Sequence, residues 1–218
     1  MERRRAILET AADIFRRKSF DDTRIEEIAA QADVSPGTVY NYFPTKDALL
    51  LALADHYRSG IPAAVAEFLE MPPSLPLDAF MLFYKTVIRE STRYLDKPLW
   101  RHVHAATTVS GWHQHGGERW SHEESLIELQ CRLIRTLQRL GTVPARLTAR
   151  PLAELIHACA FFWWQRYIAQ DDMSRQELLS SLKKDLRFLL EQTCGPDADR
   201  APARRRHKRA AGRAVSRE

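Results

Sequence analysis

The sequence predicts an all-α protein. Period-two alternation of apolar and polar residues, the mark of a half-buried strand, is nearly absent. Apolar residues instead recur at helical spacing along almost the whole chain. Ser, Thr, Pro and Gly also fall where helices would start and stop. No segment repeats another.

Ile7, Ala11, Ile14 and Phe15 stand at i, i+4, i+7 and i+8, which predicts an amphipathic first helix ending near Lys18-Ser19-Phe20. Thr23-Arg24-Ile25-Glu26 reads as a capping box, with a hydroxyl at the N-cap and a Glu three residues on. Ile25, Ile28, Ala29 and Ala32 then mark one face of a short second helix, and Asp33-Val34 a tight break. Ser35 is a good N-cap. Pro36 follows at the first helical position, where its missing N–H costs nothing. A third helix is expected to about Phe43, stopped by Pro44. Thr45 caps a fourth, from Lys46 to about Glu70. Helix, helix, short turn, helix is a helix-turn-helix order, expected over residues 1–50.

Residues 51–194 read as a larger helical domain. Met71-Pro-Pro-Ser-Leu-Pro76 is a joint, and Phe80, Phe83, Val87 and Ile88 mark the next helix. Lys97-Pro98 is a break and 110–117 a glycine-bearing loop. Leu126, Leu129, Leu133, Ile134 and Leu137 stripe a long helix that Gly141 stops. Two strongly apolar helices close the fold, from Thr148 to about Gln170 and from Ser174 to about Gln192. Residues 195–218 lack the apolar content to fold.

The net charge of +5 points at first to nucleic acid. Residues 200–218 alone hold eight Lys/Arg against one acid, so the rest of the chain is net negative. Any nucleic-acid argument must therefore rest on local geometry and not on bulk charge. Three scattered cysteines, Cys131, Cys159 and Cys194, form no CxxC and suit reduced thiols. Glu9 and Asp13 interrupt any apolar leader core, and no apolar run nears the roughly 18 residues of a membrane span. The expectation is a soluble, cytoplasmic protein that needs no membrane.

Val34-Ser-Pro-Gly-Thr-Val-Tyr-Asn-Tyr-Phe-Pro-Thr-Lys46 holds three aromatics and one charge. On a helix, Val39 and Phe43 share a face and would pack inward. Thr38, Asn41 and Tyr42 point elsewhere, and Pro36 and Gly37 keep the N-terminal end slim. Hydroxyls, an amide, a methyl and a ring suit base edges and phosphates. The competing reading is a helical hairpin with buried aromatics.

From about Arg5 to Leu53, the residues Ile7-Leu-Glu-Thr-Ala-Ala-Asp-Ile-Phe15, Thr23-Arg-Ile-Glu-Glu-Ile-Ala29 and Gly37-Thr-Val-Tyr-Asn-Tyr-Phe43, with Lys46 and Leu49, resemble the DNA-binding domain of TetR-family (tetracycline-repressor-like) transcriptional regulators. Ser19 and Asp33 stand where that family usually has glycine. The resemblance implies that Thr23 and Arg24 touch the DNA backbone, Arg24 also reaching toward a base. Pro36, Gly37, Thr38 and Tyr40 would face the major groove, Tyr42 and Lys46 hold phosphates, and Asn41 do either. Partial core packing competes for Tyr40, and a solvated helix start for Lys46. Arg3, Arg4 and Arg5 read as a basic arm or as solvated charge.

The resemblance further implies an effector-binding and dimerising second domain, and a homodimer on a palindromic double-stranded operator released by a small molecule. Leu152, Leu155, Ile156, Cys159, Phe162 and Trp163 on one terminal helix, and Leu178 to Leu190 on the other, suit a four-helix dimer seam or an intrachain core. His102, His104, His113, His115 and His122 interleave with Trp100, Trp112 and Trp120. Three readings stay open for this segment: a metal-responsive site, a pocket for an apolar or aromatic molecule, or ordinary histidines. HxH on a helix sends its two rings roughly 200° apart, which disfavours a shared metal. The pocket reading takes Trp100, His104, Trp112, Trp120, Phe161 and Trp164, with no cofactor, metal ligand or catalytic residue assigned. The motifs of dinucleotide, phosphate-loop and serine-hydrolase enzymes are absent, so an enzyme is the remoter alternative.

Overall fold

A computed structural model describes residues 2–109 and 116–195, leaving aside the side chains of 108–122. All regular structure among them is helical. The helices are α1 (Glu2–Arg17), α2 (Ile25–Gln31), α3 (Pro36–Tyr42), α4 (Lys46–Arg58), α5 (Ile61–Leu69), α6 (Pro76–Ser91), α7 (Lys97–Val109), α8 (Gly116–Arg139), α9 (Ala149–Ala169) and α10 (Arg175–Cys194). None is long and apolar enough to cross a membrane.

The first three helices enclose a small core. Ile7, Leu8, Ala11 and Phe15 of α1 meet Ile25, Ile28 and Ala29 of α2 and Val39 of α3, all buried. Burying each large aliphatic side chain is worth about 1.5–3 kcal/mol. The turn between α2 and α3 works as expected: Asp33 takes the left-handed conformation at φ 53°, and Val34 N–H reaches back to the Ala29 carbonyl. Asp tolerates that conformation because its short polar side chain can hydrogen-bond locally. Ser19 has no positive φ. Its hydroxyl instead bonds the Asp22 carboxylate at 2.7 Å, so no strain follows from the missing glycine.

Two local expectations are corrected. Thr23 does not cap α2. The N-cap is Arg24, without a side-chain bond, and the Thr23 hydroxyl donates backward to the Ser19 carbonyl at 2.9 Å. The fourth helix ends at Arg58, well short of Glu70. Pro62, the second residue of α5, has no N–H and would clash with the carbonyl four residues back, so the helix breaks at Ser59-Gly60. A third difference concerns Arg3, Arg4 and Arg5, which lie on the first turns of α1 and form no separate arm.

α4 is the pivot of the architecture. Leu49, Leu50, Leu53 and Ala54 are all buried, and the helix packs on α1, α6 and α7. Behind it, α6, α7, α8, α9 and α10 form the larger core around Phe80, Phe83, Trp100, Leu133 and Ile156. Gly141, at φ 74°, ends the turn after α8. α10 opens on a capping box, in which the Ser174 and Glu177 side chains each accept the other's backbone N–H. α9 and α10 bury Leu152, Ile156, Leu178, Leu182, Leu186 and Leu190, yet leave Leu155, Phe162 and Phe188 more than half exposed.

Candidate nucleic-acid interface and interior cavity

α3 starts and stops as its sequence dictates. Ser35 Oγ accepts the Thr38 N–H at 3.1 Å, Pro36 fills the first turn, and Phe43 is the C-cap. Thr45 Oγ1 then accepts the Ala48 N–H at 3.0 Å and opens α4. Val39 and Phe43 are buried, which turns Pro36, Gly37, Tyr40, Asn41 and Tyr42 outward. Thr38 is half-buried, and its hydroxyl lies 2.9 Å from that of Ser35. Among the described residues the Tyr40 and Tyr42 hydroxyls and the Asn41 amide have no hydrogen-bond partner, and the exposed Arg24 side chain has no ion pair. Arg4 lays its guanidinium 5.3 Å from the Phe43 ring, so α1 adds positive charge beside the end of α3.

Among the described residues nothing requires a glycine at position 37. Its φ is not positive, and a Cβ there would meet only Ser35 Oγ, at 3.8 Å. Glycine inside a helix costs about 1 kcal/mol against alanine.

Two residues of the expected set stand differently. Thr23 is buried, with its hydroxyl committed to Ser19. Lys46 donates to the carbonyls of Phe20, Asp21 and Thr23 at 2.7, 3.2 and 3.0 Å, and its ammonium sits 4.5 Å from the Phe20 ring centroid. All three of its N–H groups are thus spent on holding the α1–α2 loop to the start of α4. The local sequence carries no sign of this, because the acceptors lie 23 to 26 residues away.

The interior cavity, about 60 Å³, lies between α4, α6, α7, α8, α9 and α10. Trp100, Phe161 and Trp164 line it, as the sequence suggests. His104 does not; its Nδ1 faces the Gln165 amide at 3.4 Å. Trp112 and Trp120 lie outside the described side chains, as do His113, His115 and His122. The His102 ring packs against Phe20 in a tilted arrangement, centroids 4.5 Å apart, away from His104, since neighbouring-but-one residues on a helix diverge. No group of three or more His, Cys, Asp or Glu able to hold a metal occurs among the described residues.

Sequence reasoning missed the cavity's polar residues. Arg58, from the last turn of α4, lays its guanidinium 4.6 Å from the Trp100 ring, and Trp100 Nε1–H donates to the Ser91 carbonyl at 3.0 Å. Tyr84 donates to Gln130 at 3.0 Å, and burial holds its phenol well above the usual pKa and so protonated. Gln130 lies 3.2 Å from His157, and His157 2.6 Å from Glu123. A glutamine with no exposure at all, Gln130, is the one signal of such a network, and burial is invisible in a sequence.

Residues 7–53 match the family model described as bacterial regulatory proteins, tetR family. The HTH-type transcriptional regulator YuxN of Bacillus subtilis, itself described as uncharacterized, is 41% identical over 56 residues, 26% of this chain and 19% of that protein. EthR of Mycolicibacterium smegmatis is 41% identical over 54 residues, 25% of each chain, and RutR of Escherichia coli 43% identical over 51 residues, 23% and 24%. These matches span only about a fifth to a quarter of the relatives' lengths. Across the whole fold the chain is similar to Thermus thermophilus FadR, a TetR-family repressor solved with lauroyl-CoA (TM-score 0.64, 24% identity, 92% of this chain and 98% of that one). It is also similar to SmeT, the repressor of a Stenotrophomonas maltophilia multidrug efflux pump (TM-score 0.63, 17% identity, 92% and 94%). Residues 7–53 thus carry a helix-turn-helix domain similar to that of the tetR family of bacterial regulatory proteins, and the described residues share the all-helical fold of solved members of that family.

Proposed function

We propose that the protein is a transcriptional regulator that binds a palindromic double-stranded operator as a homodimer and is released by a small organic molecule in the interior cavity. The exposed face of α3 carries this reading. It presents Tyr40, Asn41 and Tyr42 with polar atoms unspent among the described residues, beside a glycine that no contact with a described residue requires. Thr38 and Tyr40 would read base edges, with Pro36 and Gly37 admitting the helix to the groove. Tyr42 and Arg24 would hold phosphates. Lys46 supports the contact indirectly, by fixing the loop that leads into Arg24.

A single seven-residue helix reads few bases, so two copies spaced about 34 Å apart gain both affinity and a palindromic preference. Leu155, Phe162 and Phe188, exposed on the last two helices, are the surface that a second copy would cover.

The cavity supports the release step. Its aromatic lining suits a flat or apolar guest. At about 60 Å³ it cannot hold a multi-ring compound until its walls part. One of those walls is Arg58 on α4, and α4 also carries the packing of the DNA-facing domain. A ligand that binds the parted arrangement better than the closed one shifts the two domains together. Lauroyl-CoA in FadR and triclosan in a SmeT complex show two similarly folded proteins holding such molecules.

Selection of sites from a random DNA pool with purified protein, followed by a compound screen for release, tests the reading. A recovered palindrome and a releasing compound support it. Recovery of no preferred sequence overturns it.

A further inference from the structure

We propose that α7 is the strut that sets which spacing between two half-sites the dimer accepts, with Lys97 and His102 as its positioning residues. The proposal rests on the reading of the protein as a dimer on a palindrome, and names what holds the distance between its two reading helices.

In a dimer joined through α9 and α10, that distance depends on how stiffly each helix-turn-helix domain is held to those two helices. Slack in one protomer is repeated in the other. One base pair moves a half-site about 3.4 Å along the duplex and about 35° around it, so modest slack blurs the spacing. α1, α2 and α3 pack on one another, and α1 packs on α4. The chain then leaves α4 through the break at Ser59-Gly60. α7 offers a shorter path.

The start of α7 is clamped to the turn between α9 and α10. Lys97 Nζ donates to the carbonyls of Gln170, Asp171 and Met173 at 2.6, 3.1 and 2.6 Å, which occupies all three of its N–H groups. Its ammonium also lies 4.4 Å from the centre of the buried Tyr167 ring. Gln170 is the C-cap of α9, so the lysine meets carbonyls where intrahelical donors run out and a cation is favoured. Arg101, one turn further on the same face, donates to the Ile168 carbonyl at 3.2 Å and to the Asp171 carboxylate at 2.8 Å.

His102 stands five positions after Lys97, about 7.5 Å along α7 and about 140° around it, and reaches the other domain. Its ring packs on Phe20, centroids 4.5 Å apart. The Asp21 carboxylate, 3.9 Å from its Nε2, is 80% exposed and adds little, so ring packing carries the contact. Phe20 belongs to a loop that is itself fixed. Lys46 repeats the form of the Lys97 clamp there, with three loop carbonyls and the Phe20 ring. Arg24, at the end of that loop, is the N-cap of α2, and α2 packs on α3. The reading helix is thereby referred to the α9–α10 turn through one short stretch of α7.

Full-length protein is tested on duplexes that carry the parent's selected half-sites with the spacer lengthened or shortened by one base pair. The parent should lose at least about tenfold in affinity for either change. His102→Ala and Lys97→Met should shrink that loss to about threefold or less, with the half-site sequence from a repeated selection unchanged. His102→Phe keeps a ring against Phe20 and should restore the parent's loss. Each variant is measured below its own melting temperature, with the dimer checked by sedimentation. A merely destabilised protein binds every spacing more weakly and keeps the ratio. A His102→Ala protein that keeps the parent's ratio, or a His102→Phe protein that behaves like His102→Ala, overturns the proposal. A Lys97→Met protein that folds, dimerises and keeps the ratio does so too, and if that variant does not fold the two His102 variants decide. A parent that selects a palindrome while the variants leave its spacing untouched removes the strut alone. A parent that selects no palindrome removes the dimer reading and the strut together.

Discussion

The guanidinium of Arg58 lies 4.6 Å from the centre of the Trp100 ring. One partner ends the helix that packs on the helix-turn-helix domain, and the other is a buried wall of the interior cavity. A cation–π contact withdrawn from water is worth about 1–2 kcal/mol. Arg58→Leu should lower thermal stability by a few degrees and leave the preferred operator unchanged. It should also change the concentration of releasing compound needed by about fivefold or more. Melting curves and release titrations check this, and an unchanged release curve would remove Arg58 from the coupling.

Lys46→Ala should act on the fold before it acts on DNA. Three carbonyls lose their donor and the α1–α2 loop loses its anchor, at a cost of about 1–3 kcal/mol. Operator affinity should fall with the loop, while the slope of log affinity against log salt stays as in the parent. A slope lower by about one would place the ammonium on a phosphate after all.

Tyr42→Phe isolates one hydroxyl. That hydroxyl has no partner among the described residues, so the melting temperature should not move. Affinity should fall by roughly threefold to tenfold for every sequence alike, as expected for a phosphate contact. Binding curves on the operator and on a scrambled duplex measure both. Thr38→Ala should instead change the preference at one base position in each half-site, read by repeating the site selection.

Phe188→Asp with Phe162→Asp places two charges on the exposed apolar face of the last two helices. If that face is the dimer seam, sedimentation should show a monomer with its helical content intact. Operator affinity should then drop by about a hundredfold or more as the second half-site is lost. A double variant that stays dimeric would move the seam elsewhere.

Acid should loosen the α8–α9 junction. Arg150 holds Glu124 by two hydrogen bonds, 2.5 and 2.7 Å, and these keep the Glu124 carboxyl below the usual carboxylate range. A depressed pKa stabilises the fold above the unfolded value and loses that contribution as pH falls through the folded one. The melting temperatures of wild type and Glu124→Gln should therefore differ near neutral pH and converge below about pH 4. The pair is exposed, so the difference should be small.

Chemistry within about four residues was legible in the sequence. Ser35, Pro36 and Thr45 start helices, Asp33 turns the chain and Gly141 stops it, each through bonds to its own neighbourhood. The outward turn of Asn41 and Tyr42 on α3 followed from helix periodicity once Val39 and Phe43 were placed inside, whereas Thr38, turned outward by the same reasoning, is half-buried, and periodicity leaves the exposure of Tyr40 open. Thr23 misled for the same reason: it matched a local capping pattern, but its hydroxyl found a better acceptor behind it. Trp100, Phe161 and Trp164, grouped in the sequence by their aromatic character, line one cavity in the structure, whereas His104, grouped with them by proximity in sequence, faces Gln165.

The sequence by itself determined most of the helices and their order, the break between α4 and α5 excepted, and the resemblance of residues 7–53 to a known helix-turn-helix domain, because those depend on short-range periodicity and capping. Only the tertiary structure decided what the charged and polar groups do. Lys46 meets acceptors 23 to 26 residues away, Arg58 meets a ring 42 positions on, and Tyr84, Gln130, His157 and Glu123 join across three helices. Such partners are chosen by burial, since a polar group taken from water must bond whatever the packing brings within reach. No local pattern records that choice.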